Sequence, residues 1–228
     1  LEKILQMLKV LFQILVNYCE IVGINHNKNT FCKNFISFVN SDYEFENEEN
    51  ATATNNEAEH AETILTKGIA EVSSMLFKDY SLSALLKSIV NTIKDGTDCE
   101  HALLFLKDKV NGEMRAQIGA GNDIDTVMKR FHFHQNESND IFNLVLNKKK
   151  DLFIPEVVNS PLLNQIPDWC KKVTLPKNLL LYPLSINDAC IGLIYVDNAK
   201  QLSSKSKQIF THIDTLRNQA AMAIKQKQ

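Results

Sequence analysis

Residues 178–197 read NLLLYPLSINDACIGLIYVD, two runs rich in Leu, Ile, Val and Tyr around the polar pair Asn187-Asp188. Short β-branched and aromatic runs joined by a tight polar turn predict a β-hairpin. Side chains alternate between the two faces of a strand, so Ile191, Leu193 and Tyr195 are expected on one face and Ile194 and Val196 on the other. Both sets are apolar, which places the hairpin in the middle of a sheet covered on both sides. A small sheet with helices on one face and other segments on the second is a place where pockets form.

Outward from the hairpin, Ser203 to Lys225 sets Ile209, Ile213, Leu216, Ala220 and Ala223 on one stripe and predicts a closing amphipathic helix. Upstream, Pro155 to Pro176 holds four of the five prolines and the single tryptophan, and reads as a long loop. Asp151–Ile154 and Phe131–His134 read as short strands, and Asp123–Arg130 and Asn139–Leu146 as short helices, the latter capped by Ser138 or Asn139. Glu100–Lys107 and Met114–Ile118 form a second predicted hairpin, whose Asn111-Gly112 supplies the positive φ of a tight turn. Two helices precede it, Ala61–Phe77 and Leu82–Lys94, the second started by Ser81 or Ser83 and stopped by Gly96. This order predicts an α/β (α+β) fold, with an antiparallel sheet of five to six strands and the terminal helices packed on one face.

Residues 1–40 have a different character. Ile4 to Cys19 is very apolar, yet Gln6, Lys9, Gln13, Asn17 and Glu20 recur at spacings of 3, 4, 4 and 3, a narrow polar stripe on a helix. A membrane span does not keep such a stripe, and a signal peptide puts its charges before an uninterrupted apolar core. The segment is expected to be a mostly buried helix that packs on another domain or subunit, followed by a second helix at Thr30–Val39. Ser41 to Glu59 is acidic, Asn-rich and poor in large apolar residues after Phe45, and reads as a linker. The expected organisation is a helical segment at 1–40, an acidic linker at 41–59 and a domain at 60–228. The chain begins at Leu1 without a methionine, as expected of a piece of a longer protein.

With 25 basic and 27 acidic residues the net charge is −2, which points to no polyanionic partner. The one basic run, Lys148-Lys149-Lys150, sits at a predicted helix end, where cations suit the macrodipole. Neither nucleic acid nor membrane is an expected partner. Cys19, Cys32, Cys99, Cys170 and Cys190 follow no metal or disulfide spacing, and read as reduced thiols of a cytoplasmic protein.

Several segments together resemble the GAF domain, a sensory relative of the PAS fold. LLKSIVNTIKDGTDCEHALLFLKD (85–108) looks like its opening helix and first strand. NKKKDLFIPEV (147–157) looks like a segment that usually carries an aspartate where Glu156 stands. The 178–197 hairpin followed by QAAMAI (219–224) resembles the closing elements. Ile141-Phe142, Ile166-Pro167-Asp168-Trp169, Tyr182-Pro183-Leu184, the run Ile191 to Asp197 and Leu216-Arg217-Asn218-Gln219-Ala220 look like GAF domains that follow an HDOD domain in bacterial signalling proteins. HDOD domains are helical, HD-like output modules without phosphodiesterase chemistry. The likeness covers roughly residues 60 to 227. It implies that residues 1–40 end an HDOD domain and that the chain is a non-catalytic sensor, while the apolar stripe of the last helix adds an expected homodimer through helices 61–77 and 203–225. The resemblance names no cofactor.

GAF domains build their pocket between the sheet and the helices after the second strand. By resemblance the lining is Phe105, Phe133, Phe142, Tyr182 and Tyr195, with Asp197 or Trp169 as polar or lid groups. The plainer reading is that these aromatics fill the core and the domain only pairs chains. Asn147-Lys148 matches the start of the cyclic-nucleotide signature, but no Phe-x-x-x-Asp-Glu follows. Cys170 follows Trp169 without the context of a bilin-bearing cysteine. His132 and His134 share one face of a strand and lack an adjacent third ligand, though His101 is available from the first strand. No metal site is expected. GAF-fold reductases of free methionine sulfoxide use paired cysteines, and Cys99 and Cys190 both begin strands, but neither has an activating neighbour.

Overall fold

A computed structural model of the chain describes residues 48–136, 138–186, 189–203 and 206–227, with side-chain surroundings from Glu57 onward. The two expected helices before residue 40, the start of the expected linker and the turn pair Asn187-Asp188 lie outside the described residues. From Thr52 the chain forms one compact unit. Its elements are α1 (Glu48–Leu76), α2 (Leu82–Thr97), β1 (His101–Lys107), β2 (Glu113–Gly121), α3 (Ile124–Arg130), β3 (His132–His134) and α4 (Ile141–Lys148). They continue with β4 (Leu152–Ile154), a 3-10 turn at Leu163–Gln165, α5 (Asp168–Lys171), β5 (Leu179–Ile186), β6 (Ala189–Asp197) and α6 (Lys207–Gln226).

The six strands form one sheet in the order β3-β2-β1-β6-β5-β4, antiparallel throughout. The predicted fold is therefore the observed one: an α+β domain whose central hairpin, β5–β6, is buried on both faces. On one face α1, α2 and α6 bury Leu65, Ile89, Ile213 and Leu216 against Leu104, Leu180, Ile194 and Val196. On the other, α3, α4 and the 155–176 loop bury Val127, Phe142, Val157 and Cys170 against Phe105, Leu181, Leu193 and Tyr195.

Several local expectations are corrected. Helix α1 reaches back to Glu48 through residues expected to be linker. No proline or glycine interrupts this stretch, and its Ala and Glu residues favour a helix. Gly96 does not stop α2 but lies inside it, where a Cβ would come 2.4 Å from Leu65 Cγ, so the glycine lets α1 and α2 cross closely. The chain leaves α2 at Asp98, in the left-handed region at φ 46°. Asp140, not Ser138 or Asn139, caps α4, its carboxylate accepting from the Phe142 and Asn143 amides at 3.0 Å. The β5–β6 register slips between Leu184–Gly192 and Ser185–Cys190, leaving Ile191 as an extra residue. The bulge turns Ile191 to the helix-covered face, against the simple alternation, and Cys190 to the other.

Candidate functional site

Alternation on the central strands decides which aromatics meet. Phe105 of β1, Phe133 of β3, Phe142 of α4, Tyr195 of β6 and Trp169 of α5 gather on the loop-covered face, as does Asp197. Phe131, expected in the core but not among the lining residues, completes the cluster. Ring centroids lie 4.8 Å apart for Phe142 and Trp169, 5.2 Å for Phe131 and Trp169, and 5.3 Å for Phe131 and Tyr195. The Trp169 indole stacks on Phe133 at 5.4 Å with planes 11° apart. Edge and stacked contacts of this kind favour a fixed arrangement. All but Trp169 are buried, and the half-buried indole closes the cluster toward solvent.

Tyr182 is placed elsewhere. It pairs with Ile194, while its neighbour Leu181 pairs with Tyr195, so its ring faces the helices. There Arg217 of α6 lies over the ring, 5.2 Å from its centroid, and donates to Asp151 just before β4 at 2.5 Å and to Asp214. Burial, with the charges of Asp151 and Asp214, pushes the Tyr182 phenol up to about 12.

A buried polar chain runs off the aromatic cluster. The Thr174 hydroxyl lies 2.8 Å from the Tyr195 hydroxyl, which donates to Asp197 Oδ2 at 2.8 Å. Asp197 Oδ1 accepts from the His101 amide at 2.9 Å, and the His101 Nδ1 lies 3.1 Å from both carboxylate oxygens. His101 Nε2 faces the Asn122 carbonyl at 3.0 Å. Burial, with Cys170 and Asp197 nearby, holds the Tyr195 phenol well above its ordinary value, so it stays a donor. Glu100, His101 and Asp197 together have the ligand atoms a metal would use, the single such group among the described residues. The Asp197 oxygens already serve three donors, which makes the group an internal ion pair. At this end of the sheet a groove of about 450 Å³ opens between Lys94, Asp98, Glu100, Asn122, Lys177 and Lys200.

The other sequence candidates do not assemble. His132 and His134 are exposed and alternate with buried Phe131 and Phe133 as expected. His101 pairs with Gly121 and His132 with Arg115, so the two histidines stand about 20 Å apart along the strands. His132 Nδ1 instead meets Glu113 at 2.7 Å, and Arg115 bonds the same carboxylate. Antiparallel strands begin at opposite ends of the sheet. Cys99 sits near the Asp197 end and Cys190 at the other, more than about 20 Å away. Burial pushes the Cys99 and Cys170 thiols up to about 12 and raises Cys190.

No family model matches this chain, and no curated protein matches it. Solved structures do share its architecture. The GAF domain of a phosphoenolpyruvate-protein phosphotransferase from Acinetobacter superposes with a TM-score of 0.54 at 17% identity, over 71% of this chain and 93% of that one. The nlh2 GAF domain of A. aeolicus, in an inactive state, gives 0.57 at 14% identity, over 74% and 99%. Free methionine-R-sulfoxide reductase from Neisseria meningitidis, in complex with its substrate, gives 0.54 at 14% identity, over 75% and 93%. The fold is the one that these GAF domains share, and identities this low speak for the fold alone. Among the described residues no helix is long and apolar enough to cross a membrane.

Proposed function

We propose that this chain is a non-catalytic sensory GAF domain of a cytoplasmic signalling protein, with its ligand site in the Phe105, Phe133, Phe142 and Tyr195 cluster. The observation that carries this reading is Trp169. It comes from a loop with little regular structure, is only partly exposed, and packs against Phe131, Phe133 and Phe142 of an otherwise buried aromatic cluster. A flat, largely apolar molecule would take the place of the indole, and Asp197, reached through Tyr195, would be the polar group behind it. Tyr182 belongs to the transmitting side instead: through Arg217 it ties β5 to α6, from which the signal passes to a homodimer partner and to an HDOD output domain.

Buried thiols held in their protonated form at opposite ends of the sheet favour this reading over a thiol reductase. Native mass spectrometry of protein purified from its own host is the test. A retained small molecule, lost in Phe142→Ala and kept in Trp169→Ala, is the expected result. The same mass as the bare chain in every preparation favours a domain that only pairs chains. A monomer mass independent of concentration in the ultracentrifuge removes the dimer.

A further inference from the structure

His101 begins β1, and only 6% of its side chain is exposed. Its two ring nitrogens face the Asp197 carboxylate and the Asn122 carbonyl, and neither partner has a proton to give. A neutral imidazole carries one N–H and one bare lone pair, so one of these contacts would set lone pair against lone pair. The imidazolium satisfies both. Burial opposes that charge, but the hydrogen bond and charge of Asp197, then the Asn122 carbonyl and Glu100, outweigh it and raise the His101 pKa above 6.5.

The turn that supplies the Asn122 carbonyl is pressed onto the ring. Gly121 has φ +140°, and a Cβ there would lie 2.1 Å from the Glu100 carbonyl oxygen and 3.0 Å from His101 Cδ2. Asp123 follows in the left-handed region at φ 47°, and α3 starts at the next residue, with Val127 buried in the aromatic-face core. We propose that His101 is a proton-operated latch: as the imidazolium it joins β6 to the β2–α3 turn and holds α3 closed over the aromatic cluster, and loss of the proton releases the turn.

The groups that face the ring are Asp197 from β6, with the Tyr195 hydroxyl behind it, the Asn122 carbonyl from the turn and Glu100 just before β1. Lys94, Asp98, Lys177 and Lys200 stand further out in the groove. On deprotonation the carboxylate, the stronger acceptor, keeps the remaining N–H at Nδ1. The bond that fails is the one from Nε2 to Asn122. The latch contributes its full stability below the unfolded-state value of 6.5, and that stability is lost as pH rises through the higher folded-state value. It operates whether or not the aromatic cluster takes a ligand.

The test uses the full chain, labelled with 15N. Imidazole nitrogen shifts and amide protection factors, corrected for intrinsic exchange, are followed from about pH 6 to 10. The expected result is two protonated ring nitrogens on His101 at the low end, with titration above 6.5. Protection of α3 falls about tenfold through the same midpoint while β5 does not change. His101→Gln keeps a donor that does not titrate, so α3 protection loses its pH step. A neutral His101 ring throughout, or α3 protection that does not follow the ring, overturns the latch. Should His101→Gln fail to fold, the wild-type titration decides both points.

Discussion

The two faces of the sheet carry cores of similar size and opposite design. The helix-covered face is almost wholly aliphatic, and three long helices, α1, α2 and α6, close it. The loop-covered face is aromatic and is closed by the short α3, α4 and α5 and by loop. A buried polar chain runs along its edge. Long helices spread a packing loss over many turns, whereas the 155–176 loop is anchored by a few side chains, Val157, Ile166, Trp169 and Cys170. The difference puts a broad helical cover on one face and a thinner, loop-built cover on the other.

The comparison can be broken by mutation. Leu65→Ala, at a fully buried site against Gly96, should cost about 3 kcal/mol in urea unfolding. Tyr195→Phe leaves Asp197 and Thr174 each short of a partner and should cost about 2 kcal/mol, a figure that rises in a double variant if the chain is cooperative. Trp169→Ala should cost only about 1 kcal/mol, because the indole is partly exposed and the flanking phenylalanines can close in. If Trp169→Ala instead costs as much as Leu65→Ala, the loop-covered face is as fixed as the helix-covered one and the contrast fails. Lys200→Ala breaks an exposed pair with Asp98 and should leave the unfolding midpoint unchanged.

Much of this was legible in the sequence, because hydrophobic period is a local signal. The 178–197 hairpin, the two strands at 100–118 and the closing helix all announce themselves by spacing. The resemblance grouped Phe105, Phe133 and Tyr195, and the three share the loop-covered core. What stayed hidden depends on contacts between distant segments. Tyr182 reads as a neighbour of Tyr195 until strand parity is applied, and Ile191 obeys parity until a bulge is known. Gly96 has the pattern of a helix stop, yet its role is set by Leu65 thirty-one positions away. His101 and Asp197 are separated by 96 residues, and nothing local to either marks the pair.

Arg217 has a mechanical consequence. It grips the Tyr182 ring and Asp151 from a single direction, and its side chain is only 20% exposed. Each residue turns a helix by about 100°, so even a one-residue rotation of α6 would swing the guanidinium off both partners. The last helix is keyed into the sheet like a shaft in a slot. Turning α6 about its own axis breaks both contacts, whereas a small tilt or slide keeps them.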